Sequence, residues 1–294
     1  AKCGSLAKAR QMLDMLPVRD VISWNTLIAV YAKSDQCEEA LNCYEKMQRE
    51  GLIPDAVTFI CILKACGNIG AIDKGKQIHE SIVNTGLLEN DVVLGTALVD
   101  MYAKCGMPSK ARQVLGDLSV RNTVSWNALM SGYAQQGEGH ETLDCFERMQ
   151  DEGILADAIT FIFILKACGS MGAIDKGKQI HEEIVNRNLL GKDAILGTAL
   201  VDMYAKCGAL DKAQKVLEEL PARNMVSWSA LIAGYAQQGQ GDEALNCFQE
   251  MLCEGHSPNS VTLLCVLIAC SRSGLLEEAQ MIFGDMTERY GISP

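Results

Sequence analysis

The chain has 294 residues, 48% of them hydrophobic but only 5% aromatic, with 6 prolines and a formal net charge of −11. That acidic balance excludes sequence-indifferent polyanion binding, which needs Lys and Arg in excess to displace phosphate counterions. No run of about 20 uninterrupted apolar residues occurs, so no membrane partner is expected, and the start Ala1-Lys2-Cys3-Gly4 has the pattern of neither a signal peptide nor an Arg-rich transit peptide.

In chain order, residues 21–55 hold an apolar run, VISWNTLIAVYAK, a break at Ser34-Asp35, and then EEALNCYEKMQREG. Leu27, Ile28 and Tyr31 are spaced for one helix face, and Ala40, Leu41, Tyr44 and Met47 for the next. Gly51 and Pro54 close the pair as helix-stopping residues. Residues 56–91 repeat the design with VTFICILKAC and IDKGKQIHESIVNTG, and residues 92–122 with VVLGTALVDMYAKCG and SKARQVLGDL. These segments of 35, 36 and 31 residues make up a 102-residue period. LGTALVDMYAKCG at 94–106 returns unchanged at 196–208, KACGNIGAIDKGKQIHE at 64–80 returns at 166–182 with two changes, and Trp24, Trp126 and Trp228 keep the same phase. Strands are excluded because the period is 3.6 rather than 2 and the runs are too long. Each hairpin exposes an apolar face that only a neighbouring hairpin can cover, which predicts an all-α solenoid of stacked helix-turn-helix repeats.

The chemistry-bearing residues follow the same period. Nine of the 13 cysteines sit on it: Cys3, Cys105 and Cys207; Cys43, Cys145 and Cys247; Cys66, Cys168 and Cys270. The tight pairs Cys61/Cys66 and Cys265/Cys270 lose their first member to Phe163 in the middle copy, and there is no CxxC. Buried, reduced thiols are expected rather than zinc or disulfides. Gly70 to Lys76 fits GxxxxGK and recurs at 172–178, but Gln77 stands where a phosphate-binding loop needs Ser or Thr, no strand precedes it, and the third copy becomes Gly274 to Ala279. His79-Glu80 and His181-Glu182 lack a second histidine at metalloprotease spacing, and the HxE with PCxxC of a zinc deaminase is missing. No catalytic site, metal, cofactor or small-molecule substrate is expected. The two histidines suit a structural hydrogen bond, and the tryptophans, in constant phase beside core leucines, suit packing.

The wording of the hairpins, SWNxLIxxYA, then TFxxxLKACG…GKQIHExIV, then LVDMYAKCG…KARQVL, closely resembles pentatricopeptide repeat proteins of the PLS class, the plant organelle RNA-editing specificity factors. The resemblance covers the whole chain. It implies a right-handed superhelical solenoid with a partial S motif at 1–20, P motifs at 21–55, 123–157 and 225–259, L motifs at 56–91 and 158–193, S motifs at 92–122 and 194–224, and a variant L motif at 260–294. It also implies single-stranded RNA as partner, one nucleotide per repeat, in a mitochondrion or chloroplast, as the recognition module of a C-to-U editing factor. Accessory editing proteins would engage the L motifs.

In that family the fifth and last residues of a motif contact one base edge, and the second, usually aliphatic, packs on base faces. Carried over, Asn25 with Asp55 and Asn127 with Asp157 favour U. Thr96 with Asn122, Thr198 with Asn224, and Ser229 with Asn259 favour A. Ile60, Ile162 and Leu264 cannot hydrogen-bond and should discriminate weakly, so the expected target is about U-n-A-U-n-A-A. The clamping positions are Ile22, Val57, Val93, Val124, Ile159, Ile195, Val226 and Val261. Lys33, Lys104 and Lys206, at the thirteenth position, are candidates for phosphate contacts. The plainer readings are that Asn and Thr near helix starts are caps and that the aliphatic residues are packing. A rival function is a protein-binding scaffold like tetratricopeptide arrays, favoured by the acidic charge but lacking a Lys/Arg clamp at the fifth positions.

Overall fold

The computed structural model describes residues 18–89, 91–190 and 194–292, together with residues 6, 8, 10–13, 15 and 16. Residues 1–4, Cys3 included, and much of the partial motif at 1–20 lie outside the described residues. All regular structure among the described residues is helical. The chain divides into two compact units, residues 1–136 with 145–155 and residues 137–144 with 156–294.

The first unit holds α1 (Val21–Lys33), α2 (Cys37–Arg49), α3 (Ala56–Ile69), α4 (Ile72–Thr85), a 3-10 turn at Leu87–Glu89, α5 (Val92–Lys104), α6 (Pro108–Asp117) and α7 (Thr123–Gln135). Helix α8 (Gly139–Asp151) falls partly in each unit. The second unit holds α9 (Ala158–Met171), α10 (Ile174–Asn186), α11 (Ala194–Lys206), α12 (Leu210–Glu219), α13 (Met225–Gln238), α14 (Gly241–Cys253), α15 (Ser260–Ser273) and α16 (Leu276–Glu288). In the first unit the leading helices stack directly, α3 against α1 and α5, and α5 against α7, while α2 and α6 pack on the leading helix of the next hairpin. In the second unit α11 lies between α9 and α13, α13 meets α15, and α12 and α14 pack on α13 and α15. Each unit is thus a stack of helix-turn-helix hairpins.

The apolar stripes explain the stacking. Trp24, Leu27, Ile28 and Tyr31 of α1 are buried, as are Phe59, Ile62 and Leu63 of α3. Each such side chain contributes roughly 1.5–3 kcal/mol on burial. On α2 the buried stripe is Ala40, Cys43, Tyr44 and Met47, whereas Leu41, expected inside, is half-buried. Spacings of 3, 4 and 7 residues from Ala40 reach Cys43, Tyr44 and Met47, and Leu41 sits off that line.

Glycine sets the closest approaches. A Cβ on Gly132 of α7 would stand 2.8 Å from Ala103 Cβ and 3.1 Å from Ala103 Cα on α5. The glycine of the GxxxxGK pattern has the same use: a Cβ on Gly75 would meet Met101 Sδ at 2.5 Å, and Gly177 repeats this against Met203. That pattern lies in a hairpin, with Gly70 as the left-handed cap of α3 and Gly75 inside α4. The break after α1 uses a left-handed residue, Asp35 (φ 62°), where the later copies have Gly137 (φ 74°) and Gly239 (φ 71°).

The half-buried histidines of the hairpins are paired. His79 Nδ1 lies 2.9 Å from Tyr102 Oη, and His181 Nδ1 lies 3.0 Å from Tyr204 Oη, the structural hydrogen bond expected of these histidines. Burial holds both imidazoles below the usual histidine pKa. Every described cysteine is a free thiol. Burial is less uniform than predicted, because Cys61, Cys105, Cys207 and Cys265 are half-buried and Cys253 is exposed. Cys105 is the residue capping α5, and its thiol turns back to the Cys66 carbonyl at 3.7 Å. Cys66 itself is fully enclosed, and burial pushes its thiol up to about 12.

Candidate nucleic-acid interface

The last residue of each hairpin begins the helix of the next. Asp55 is the N-cap of α3, Asn122 of α7, Asp157 of α9, Asn224 of α13 and Asn259 of α15. Asp20 and Asp91 do the same for α1 and α5. In each case a side-chain oxygen accepts the backbone N–H two or three residues on, satisfying one of the donors that a helix start leaves open. The plain capping reading therefore holds for every closing residue named above.

Some caps also meet the fifth residue of the hairpin they close, Asp55 through the same oxygen that caps α3 and Asn224 through the amide nitrogen that capping leaves over. Asn25 Nδ2 donates to Asp55 Oδ1 at 2.9 Å across 30 residues of sequence. Asn224 Nδ2 donates to Thr198 Oγ1 at 3.2 Å. Ser229 and Asn259 are joined through Thr262, whose Oγ1 lies 2.6 Å from Ser229 Oγ and 2.9 Å from Asn259 Oδ1. Thr96 instead donates back to Val92 O at 2.8 Å, close to helix-internal bonding. Asn127 belongs to the first unit and Asp157 to the second.

Asn25 and Asn127 are only 7% exposed. For Asn25 the reason is visible: Asp55 and Thr58 occupy the two ends of its amide. Asp55 is the open member of the pair. Partial burial pushes its carboxyl up, but hydrogen bonds from the Thr58 backbone, the Asn25 amide and the Thr58 hydroxyl outweigh this and hold it below the usual aspartate value. It stands as a carboxylate, an acceptor only.

The aliphatic second positions are not core. Ile22, Val57, Val93 and Val124 in the first unit are 53–74% exposed, and Ile159, Ile195, Val226 and Val261 in the second are 54–66% exposed. Each sits one or two residues into the first turn of a leading helix. The tryptophans are the reverse case. Trp24, Trp126 and Trp228 are buried and donate to Glu50, Glu152 and Glu254 at 3.0, 3.3 and 3.1 Å, so they pack rather than offer platforms.

The three candidate lysines divide. Lys104 and Lys206 are each held 2.7 Å from an aspartate one turn back, Asp100 and Asp202, which reduces the charge they offer. Lys33 is exposed on α1; burial raises the pKa of the Cys61 thiol beside Ile60, and Lys33 and Lys64 act against that rise. Lys64 and the bridging threonines Thr58 and Thr262 were missed in the sequence. An Asp-x-x-Thr or Asn-x-x-Thr spacing, the pattern of a capping box, would have found the threonines. A cleft of about 640 Å³ in the first unit is lined by Lys76, His79, Glu80, Val83, Tyr102 and Lys110 and contains none of these residues. Among the described residues no group of three or more His, Cys, Asp or Glu could hold a metal ion, and no helix is long and apolar enough to cross a membrane.

Stacked hairpins with a capped joint and a cross-linked fifth residue define a helical-repeat class of protein. The sequence matches the PPR repeat family at residues 19–68, 121–170 and 223–272, and the PPR repeat at 96–122, 198–225 and 261–290. The chain belongs to the pentatricopeptide repeat family. It is 38% identical over 97% of its length to the Arabidopsis thaliana pentatricopeptide repeat-containing protein At1g03540, covering 46% of that protein. It is 38% identical over 99% of its length to At1g11290, chloroplastic, covering 36%, and 36% identical over its full length to At2g03880, mitochondrial, covering 45%, both also from Arabidopsis thaliana. The chain thus spans less than half of each of these relatives. Among solved structures it resembles the pentatricopeptide repeat protein PPR10 in complex with an 18-nt psaJ RNA element, with a TM-score of 0.50 and 20% identity over all of this chain and 54% of that one.

Proposed function

We propose that the chain binds single-stranded RNA in a sequence-selective manner, one nucleotide per repeat, as the recognition module of a PLS-class organellar C-to-U editing factor. The observation that carries this reading is the pairing of fifth and last residues, Asn25 with Asp55 and Thr198 with Asn224, which brings two polar groups from distant sequence positions to one point on each hairpin. Their chemistry suits the predicted bases. The Asp55 carboxylate accepts from the N3–H of uracil and repels the N1 lone pair of adenine, while the second Asn25 amide hydrogen suits a uracil carbonyl. At the S motifs, Asn224 has an amide hydrogen for adenine N1, and Thr198, whose proton goes to Ala194 O, has a lone pair for the adenine amino group. Unstacked single strands offer such edges.

The exposed aliphatic residues at second positions supply apolar contacts to base faces. Lys33 remains a candidate phosphate contact, and Lys104 and Lys206 would have to exchange Asp100 and Asp202 for phosphate. Relatives named as chloroplastic and mitochondrial support an organellar setting. Accessory editing proteins would dock on L motifs, where Val83 is exposed beside the cleft on α4. A protein-scaffold role is less favoured, because the fifth positions carry Asn, Thr, Ser, Ile and Leu rather than a basic clamp.

A gel shift with U-n-A-U-n-A-A RNA against a scrambled oligonucleotide tests the reading, and equal affinity for both defeats it. Asn25→Thr should move the first P repeat from U toward G.

A further inference from the structure

We infer that Thr58, on the leading helix of an L motif, is a positioning residue that fixes base preference in the preceding P motif; this rests on the base-reading function above. An asparagine amide presents a donor on one side and an acceptor on the other, and rotating it by 180° exchanges them. Which end of Asn25 faces a base therefore decides whether that repeat offers N–H or C=O. Thr58 decides it. Its Oγ1 lies 2.6 Å from Asn25 Oδ1, is 0% exposed, and accepts the backbone N–H of Asp55 at 3.2 Å.

The proton on Thr58 has two acceptors in reach, Asn25 Oδ1 at 2.6 Å and Asp55 Oδ1 at 2.9 Å. Were it given to Asp55, the Thr58 and Asn25 oxygens would face each other lone pair to lone pair at the shorter distance. The proton points to Asn25 at the shorter distance and is shared with Asp55 as a three-centre bond. With its oxygen tied to Thr58, the amide must turn Nδ2 to the Asp55 carboxylate, where it donates at 2.9 Å. The opposite rotamer would set Asn25 Oδ1 against Asp55 Oδ1, two acceptors in contact. One hydroxyl thus locks amide polarity and braces the carboxylate.

The arrangement recurs independently in the second unit, where Thr262, also 0% exposed, lies 2.6 Å from Ser229 Oγ and 2.9 Å from Asn259 Oδ1. The serines at the corresponding place in P motifs do not do this. Ser125 and Ser227 donate to the carbonyls of their own caps, Asn122 and Asn224, at 2.9 and 2.8 Å. An L motif whose own fifth residue, Ile60, makes no hydrogen bond still acts on RNA, through its neighbour.

The test is binding of the full chain to oligonucleotides that differ only at the base facing the first P repeat. Thr58→Val keeps shape and removes the hydroxyl; the preference for U over C should fall about fivefold, the size of one lost hydrogen bond. Preference at the first S repeat should not move. Thr58→Ser should retain the preference. If Thr58→Val loses the helical circular dichroism of the parent, Thr58→Ala carries the same measurement. An unchanged U-to-C ratio in a folded hydroxyl-free variant overturns the inference, as does loss of the ratio in Thr58→Ser. Asn25→Ala on the same panel separates the two levels. If it alters preference and Thr58→Val does not, the positioning role fails and base reading survives. If neither alters it, base reading itself fails.

Discussion

Trp24 donates its indole N–H to Glu50 across 3.0 Å, linking the start of α1 to the residue that caps α2. Glu50 also pairs with Arg19, and the trio recurs as Arg121, Glu152 and Trp126, and as Arg223, Glu254 and Trp228. The only polar atom of each indole is thus spent inside the hairpin. Trp24→Phe should cost about 1.5–3 kcal/mol in chemical denaturation, in the range of a hydrogen bond to a charged group, and leave base preference unaltered. A change in preference would reinstate the tryptophan as an RNA platform.

The close contact between α5 and α7 makes a sharper stability prediction. Gly132→Ala pushes a methyl against Ala103 backbone, which cannot rotate away, and should destabilise by about 1–3 kcal/mol. Gly116→Ala, in α6 with nothing within 4 Å of a new Cβ, should instead stabilise by about 0.5–1 kcal/mol through helix propensity. Denaturant midpoints moving in opposite directions would meet both expectations.

Exposure separates clamping from packing at the second positions. Because Ile22 and Val57 are more than half exposed, changing each to Ala should alter folding stability by no more than about 0.5 kcal/mol and still weaken RNA binding. Melting curves and titrations on the same samples decide. Equal RNA affinity would reduce these residues to bystanders.

The histidines give a pH signature. Burial is the main cause that lowers the pKa of His79 and His181 in the folded chain. The unfolded chain, titrating near the ordinary value of about 6.5, then binds protons that the folded chain refuses. Their contribution to stability is complete above about pH 6.5 and is lost as pH falls through that value toward the folded pKa. Melting temperature should decline from pH 7.5 to 5.5, and a His79→Gln/His181→Gln variant should show a flatter profile.

Cap and reader can be pulled apart at Asp55. Asparagine caps a helix about as well as aspartate, so Asp55→Asn should keep the stability of α3. It replaces a pure acceptor with a group that also donates, so the first P repeat should lose its preference for U. Circular dichroism unchanged with preference lost is the expected pair of results, and preference retained would count against the carboxylate as reader.

Much of this was legible in the sequence because the repeats are long and nearly identical. The 102-residue period, the helix pairs and the packing role of the tryptophans follow from spacing alone, since apolar periodicity is a local property. What escaped was the part that depends on two hairpins at once. Asn25 reads as a polar residue on a helix, and nothing in its own hairpin says that Thr58, 33 residues on, encloses it. The pairing of Lys104 with Asp100 and of Lys206 with Asp202 is different, a local contact four residues back on the same helix that the spacing already offered. Leu41 was misplaced for a local reason, since a stripe anchored on Ala40 runs through Cys43 instead.

The doubling of joint and reader in Asp55, Asn122, Asp157, Asn224 and Asn259 bears on how such a protein can change its target. A side chain that opens a helix must be short and oxygen-bearing, so on the proposed reading the alphabet open to mutation at these places is nearly the list of good helix starters. New specificities would then arise by swapping one starter for another, and any letter outside that list would loosen the stack while altering the message.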